Sequence, residues 1–202
     1  MVTRRALIAT VTSCMVVSAS AFGFAVRGGG ALPFRGSAPR VPFAWLAQTS
    51  LPQGWSRLDG ASPLGPLPVP PRFRAVAGDR GTLTAALLGP GGTYLGYLNA
   101  TPIQGGERLQ GWPEFRLSHL RDDDARAARV DAATELVRTH AGLRSCVIDD
   151  YVTKVGSRPF HEVACLIMHH SSGSVIVAAT PSGDPAHVFA LLERAVALYP
   201  VT

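Results

Sequence analysis

Residues 143–169, LRSCVIDDYVTKVGSRPFHEVACLIMH, decide the fold that this sequence predicts. The segment is typical of two long strands joined by a tight turn at Val155-Gly156. That turn pairs Lys154 with Ser157 and, further along, Cys146 with Cys165. Directly opposed Cβ atoms lie about 4.5–5.5 Å apart, close to the spacing of a disulfide. We therefore predict a Cys146–Cys165 bond. A longer loop would shift the register, and two reduced thiols in a cytosolic sheet are the alternative.

The same register brings four ionisable side chains together on the predicted hairpin. Asp149 faces Glu162, and Asp150 faces His161. Because side chains alternate along a strand, the two pairs point to opposite faces of the sheet. Neighbouring ionisable groups can shift one another's pKa, so we treat the four as a tentative polar site. The simpler interpretation is a surface ion pair for Asp150 and His161, and an exposed acidic pair for Asp149 and Glu162.

Length and charge bound the class of protein. A chain of 202 residues with 47% hydrophobic residues has room for one domain of about 150 residues with extensions. The net charge of +5 arises from the first 50 residues, which contain arginines and no acidic residue. From residue 51 onward, 14 basic residues balance 14 acidic ones. A nucleic-acid-binding domain carries its positive charge on the folded surface, so we expect no nucleic-acid partner.

The N-terminus predicts export or tethering. After the basic Arg4-Arg5, residues 6–26 contain no charge and are long enough to span a membrane. The same stretch also fits a signal peptide, with Ala19-Ser20-Ala21 as the cleavage site. We therefore assign residues 1–26 to a signal peptide or an N-terminal membrane anchor, and both alternatives stay open. A buried core helix is a third interpretation, which the basic start and Gly28–Gly30 oppose.

Residues 27–71 are rich in Pro, Gly and Ser and show little periodicity, so we predict a semi-extended linker. Phe43, Trp45 and Trp55 are unusual in a linker, and we expect some of them to dock on the domain. A role in binding a partner or a membrane interface is the alternative for these aromatic residues.

Residues 72–202 are predicted to form an α+β domain. Strands are indicated at 72–76, 82–88, 93–99 and 174–180, in addition to the hairpin. Helices are indicated from Trp112 and after Asp184-Pro185, which have the residue types that begin a helix. Residues 128–140 have a helix-forming composition but alternate like a strand, and we favour the strand. This order predicts one antiparallel sheet with helices covering one face or both.

Four motifs carry a resemblance: Tyr97-Leu-Asn-Ala-Thr-Pro, Gly111-Trp-Pro-Glu-Phe-Arg, Ser145-Cys-Val-Ile-Asp-Asp-Tyr and Glu162-Val-Ala-Cys-Leu. In this order they resemble a family of exported actinobacterial proteins over about residues 85–198. That family is similar in layout to the Mog1/PsbP-like α/β/α sandwich, which includes secreted mycobacterial lipoproteins of the LpqN type. The resemblance implies binding or accessory roles and no catalytic residue.

Few patterns in the sequence point to chemistry. His161-Glu162-x-x-Cys165 is not a metalloprotease motif, because that motif needs a helix. We find no phosphate loop, dinucleotide fingerprint or serine nucleophile elbow, and expect no catalytic residue, cofactor or metal. The sequence thus predicts a non-enzymatic extracytoplasmic domain, secreted or membrane-tethered, with an unknown protein, lipid or cell-wall partner. The alternative is a small extracytoplasmic hydrolase using Asp150 and His161.

Overall fold

The computed structural model describes residues 42–60, 64–169, 172–183 and 186–199. The strands are β1 Ser56–Leu58, β2 Leu67–Val69, β3 Arg74–Ala75, β4 Leu83–Leu88, β5 Tyr94–Pro102, β6 Ala125–Thr139, β7 Gly142–Thr153, β8 Pro159–His169 and β9 Ser172–Pro181. The helices are α1 Trp112–His119 and α2 Ala186–Leu198. Strands β3 to β9 form one antiparallel sheet in the order β3-β4-β5-β9-β8-β7-β6. Strands β1 and β2 form a separate antiparallel pair.

The two helices cover opposite faces of the seven-stranded sheet. On one face, Val188 and Leu192 of α2 share a core with Ile148, Val163 and Ile176. On the other face, Trp112 of α1 lies in a core with four sheet residues, namely Val147, Ala164, Leu166 and Val175. Odd and even positions of one strand therefore enter different cores, as the two-residue period of a strand requires. The α+β sandwich predicted from the sequence is confirmed.

The β7–β8 hairpin has the predicted register. Cys146 pairs with Cys165, and the flanking pairs follow in step along both strands. The turn is wider than predicted, because the last backbone hydrogen bond joins Thr153 N–H to the carbonyl of Arg158, at 3.0 Å. Gly156 and Ser157 take the left-handed conformation, with φ of 74° and 49°. A tight turn would place Val155 in that region, which is costly for a β-branched residue.

The predicted disulfide joins the two strands of the hairpin, β7 and β8. Cys146 and Cys165 are bonded, with Cα atoms 4.1 Å apart. Both residues are 0% exposed and lie in the core beneath α2. The alternative of two free thiols is therefore wrong for this structure.

Replacing both cysteines with alanine is expected to lower the free energy of unfolding by about 3 kcal/mol, because the bond constrains the unfolded chain. The closed loop spans a sequence separation of 19 residues. Urea unfolding of the variant and the native chain measures the difference. Because the bond is fully buried, we also expect the peptides carrying these cysteines to resist alkylation until the protein is unfolded and reduced. Alkylation of Cys146 or Cys165 in the unfolded, unreduced protein would contradict the assignment.

Of residues 128–140, all but the last belong to strand β6, which confirms the predicted strand, and His140 lies in the turn that follows. The strand lies at the edge of the sheet and pairs with β7 only, with three irregularities in its register. One of these surrounds Leu136, which has a φ of 55°. Bulges of this kind interrupt an edge strand and disfavour pairing with a second chain. Pairing with β7 thus overrides the helix propensity of an alanine-rich segment.

Much of the segment predicted as a linker is packed on the domain. Leu46 lies in a short 3-10 turn, Ala44–Ala47, and Leu46 and Leu67 are at most 4% exposed. Phe43, Trp45 and Trp55 pack against the same core, as expected of docked aromatics. Residues 42–60 and 64–71 of this segment therefore contain docked positions, and the linker as a whole stays a prediction. Apolar side chains spaced among its prolines supply enough buried surface to hold it.

Some predictions fall outside the described residues. These are the signal peptide or anchor at 1–26, the first part of the linker, and the helix start at Asp184-Pro185. Among the residues that the structure describes, no helix has both the length and the apolar character needed to cross a membrane.

Candidate functional site

The four residues of the tentative polar site lie in two separate clusters, one on each face of the sheet. Asp150 and His161 face α2, where the His161 ring contacts that of Phe189 with centroids 4.2 Å apart. Asp149 and Glu162 face α1. The hairpin register produces this division, because neighbouring residues on a strand point in opposite directions. We call the two groups the α2-side network and the α1-side cluster.

The α2-side network contains two carboxylates, one guanidinium and one imidazole. Asp150 Oδ1 lies 2.7 Å from His161 Nδ1, and Asp150 Oδ2 accepts a hydrogen bond from Arg129 at 2.8 Å. Arg129 also pairs with Asp131 at 2.5 Å. All four side chains are partly exposed, from 27% for Asp131 to 70% for Arg129. Asp131 and Arg129 come from β6, which the sequence did not associate with the hairpin acids.

Electrostatics in the α2-side network favour a cation between its carboxylates. Partial burial, and then the neighbouring Asp150 carboxylate, raise the pKa of Asp131. Arg129 bridges the two carboxylates and supplies a positive charge there. Ligand atoms of Asp131, Asp150 and His161 lie within 4.8 Å of one another. Because the Arg129 guanidinium contacts both carboxylates and offsets one of their two charges, we assign no metal to the network.

A shallow cavity adjoins the α2-side network. Its volume is about 320 Å³, and Arg129 and Asp150 lie on its wall. Most of the remaining wall is apolar and is contributed by the strand ends, including Ala127, Val152 and Pro159. An apolar concavity with a few convergent polar groups is the usual form of a small binding site.

The α1-side cluster is buried. Asp149 and Glu162 are both 0% exposed, so the expected exposed acidic pair is wrong. Arg116 of α1 covers them and contacts Glu162 Oε1 through Nε at 2.8 Å and Nη2 at 2.7 Å. Two like charges on facing positions need an opposite charge when they are taken out of water, and Arg116 provides one.

Two tyrosines complete the α1-side cluster. The hydroxyl oxygens of Tyr97 and Tyr151 lie 3.5 Å apart. Burial, and then the Glu162 carboxylate, raise the pKa of both phenols. Burial and Glu162 also raise the pKa of Asp149, to about 8. At neutral pH the Asp149 carboxyl is therefore mostly protonated, and the phenols are neutral.

Sequence reasoning missed Arg116, although it stands in the Gly111-Trp-Pro-Glu-Phe-Arg motif. A signal was present: Trp112 and Arg116 are four residues apart, which places both on one side of a helix. Since Trp112 is 1% exposed, that side is the buried one. Arg129 and Asp131 gave no signal of this kind. The register of β6 against β7 has three irregularities, so residue spacing alone does not predict its partners.

Comparison with known proteins shows similarity in solved structures alone. No family model matches the chain, and no curated protein matches it. Among solved structures, a mutant of the protein Mog1 has 10% sequence identity and a TM-score of 0.47, covering 72% of this chain and 89% of that one. A Pseudomonas aeruginosa protein of unknown function, described as a putative regulator, has 13% identity and a TM-score of 0.46, covering 73% and 98%.

LpqN of Mycobacterium tuberculosis, described as involved in cell envelope biogenesis, is also similar. It has 11% identity and a TM-score of 0.35, covering 75% of this chain and 78% of that one. The similar structures thus include Mog1 and LpqN, whose layout the sequence resembles. At these identities and TM-scores the likeness supports no conclusion about function, and membership of an exported actinobacterial family stays a prediction.

Proposed function

We propose that this chain is an extracytoplasmic domain, secreted or membrane-tethered, that binds a partner and does not catalyse a reaction. The observation that carries the location is the buried Cys146–Cys165 bond. Stable disulfides form in oxidising compartments and are rare in the cytosol. The basic start and the uncharged residues 6–26 support the same proposal.

The α2-side network and its cavity are the binding surface that we propose. Arg129 is 70% exposed, and exposed ion pairs contribute only about 0–1 kcal/mol, so a ligand can displace its guanidinium at low cost. A displaced Arg129 leaves the Asp131 and Asp150 carboxylates free to accept hydrogen bonds. The apolar wall beside them suits a partner that presents an apolar group next to a cationic or hydrogen-bond donor group. A protein, a lipid or a cell-wall component can supply both.

Site-specific photo-crosslinking in the native host tests this surface. A photoreactive amino acid replaces Ala127, which is exposed on the cavity wall, and in a control it replaces Arg57, an exposed residue of β1. We expect adducts at position 127 that exceed those at position 57 several-fold. Introducing Asp150→Asn and Asp131→Asn together should reduce them, because both acceptors lose their charge. Mass spectrometry of the adducts distinguishes a protein from a lipid or a glycan. Equal crosslinking at both positions would contradict the proposal.

A second candidate function rests on one contact. The 2.7 Å contact between Asp150 Oδ1 and His161 Nδ1 has the geometry by which a carboxylate orients a general base. A small extracytoplasmic hydrolase using these residues is therefore the alternative. Ester and peptide substrates assayed with the native chain and with Asp150→Ala and His161→Ala decide it. Hydrolysis that falls at least a hundredfold in both variants would favour the enzyme. Unchanged rates in both variants would show that Asp150 and His161 take no part in the hydrolysis.

A further inference from the structure

The two carboxyl groups of the α1-side cluster have fewer hydrogen-bond partners than buried carboxyl groups usually have. Asp149 and Glu162 face each other across β7 and β8, and both are 0% exposed. Within the part of the chain that the structure describes, both oxygens of Asp149 and Oε2 of Glu162 have no hydrogen-bond partner. Buried polar atoms without a partner are rare and costly, so these three oxygens point to a bound species.

The charges around the pair indicate which species it is. Arg116 of α1 is a cation that contacts Glu162, while β5 and β7 contribute the neutral phenols of Tyr97 and Tyr151. From the other face of the sheet, Asp150 and Asp131 add negative potential. If both carboxyls were ionised, the cluster would hold one uncompensated negative charge out of water. One proton removes that charge and turns a carboxyl into a donor for an unpartnered oxygen.

We propose that the Asp149–Glu162 pair binds one proton, and that this proton holds α1 on the sheet. Helix α1 has eight residues, too few to be stable without packing. Its attachments include the Arg116 contacts with Glu162 and a hydrogen bond from the Trp112 indole to the carbonyl of Ala164, at 3.2 Å. Ionisation of both carboxyls places two negative charges under one guanidinium. The pair is then stabilised by hydration, which requires α1 to move away.

The direction of the pH dependence follows from proton binding in the two states. Burial, and then Glu162, raise the pKa of Asp149 to about 8 in the closed state. When α1 lifts and water enters, the carboxyl returns toward its ordinary value of about 4. Between these values the closed state binds the extra proton, so rising pH favours opening, by up to about tenfold per pH unit. Above about pH 8 both states have lost the proton, and the dependence ends.

Hydrogen–deuterium exchange of the full chain tests the proposal. After correction for the intrinsic rate, we expect exchange in residues 115–120 to quicken by about fiftyfold between pH 6 and pH 8. Asp149→Asn should abolish this rise, because the amide is neutral at every pH and its N–H groups replace the proton as donors. Asp79→Asn, at an exposed carboxyl, is the matched control and should behave like the native chain.

Infrared spectroscopy of the native chain provides a measurement that needs no variant. We expect a protonated-carboxyl band that is present at pH 6 and disappears with a midpoint near pH 8. The proposal fails if α1 exchanges equally at both pH values, or if the rise persists in Asp149→Asn. It also fails if no such band titrates above pH 7. The band measures a proton on the α1-side cluster and the crosslinking measures a bound partner at Ala127, so either proposal can fail while the other stands.

Discussion

Replacing Arg144 with methionine is expected to lower the free energy of unfolding by at least about 3 kcal/mol. Arg144 lies on β7 facing α2 and is 0% exposed. Its guanidinium donates to the carbonyls of Val196 at 2.7 Å, Ala197 at 3.2 Å and Tyr199 at 2.8 Å. These carbonyls lie at the end of α2, where the helix dipole is negative and the last turn leaves carbonyls without a full set of helical donors. The variant removes the donor from the carbonyls of Ala197 and Tyr199, at about 1–3 kcal/mol each, and leaves that of Val196 with the long 3.4 Å hydrogen bond from Tyr199 N–H.

Urea unfolding compares Arg144→Met with Arg126→Met, at an exposed arginine of the edge strand. The control should change stability by no more than about 0.5 kcal/mol. Arg144→Lys keeps the charge but not the planar fork, so we expect an intermediate loss. Burial lowers the pKa of Arg144 to about 10, so the guanidinium stays charged at neutral pH. Similar stabilities for Arg144→Met and Arg126→Met would show that the carbonyls find other donors.

The hairpin was predictable because its information is local. Alternation fixes which residues share a face, and the cysteine pair identifies one register among several. If one strand slipped by a residue, all its side chains would move to the opposite faces of the sheet. One correct pair therefore fixes the other pairs of the hairpin. The turn was less predictable. The left-handed conformation falls at Gly156 and Ser157, one residue later than a tight turn would place it. This shift leaves the strand pairing unchanged.

The environment of the acids was not predictable from the hairpin. Asp149 and Glu162 look like a solvated pair when only their own strands are considered. Their burial depends on Arg116, 46 residues before Glu162, and on the helix that carries it. The same limit applies to Asp131, which reaches Asp150 and His161 through an irregular strand. Residue spacing predicts which residues pair across a hairpin. Which helix covers a face of the sheet depends on contacts between segments that are distant in the sequence.

Replacing Arg116 with methionine is expected to lower the free energy of unfolding by about 3–5 kcal/mol at neutral pH. Glu162 is 0% exposed, and its Oε1 accepts a hydrogen bond from Arg116 Nε at 2.8 Å and forms an ion pair with Nη2 at 2.7 Å. The arginine side chain is 12% exposed. Burial lowers the pKa of Arg116, but the Glu162 carboxylate outweighs it and raises the pKa overall. The variant leaves a carboxylate buried without its cation. Urea unfolding of the variant and of the native chain at neutral pH measures the loss.

The double variant Arg116→Met with Glu162→Met separates charge from packing. Apolar replacement of both partners of a buried ion pair is often neutral or stabilising, so we expect it to recover most of the lost stability. Asp149 then lies beneath α1 without a neighbouring charge on β8 and can stay protonated. If the double variant is as unstable as Arg116→Met alone, the loss comes from the arginine stem that packs α1 on the sheet. In that case the ion pair contributes specificity of docking rather than stability.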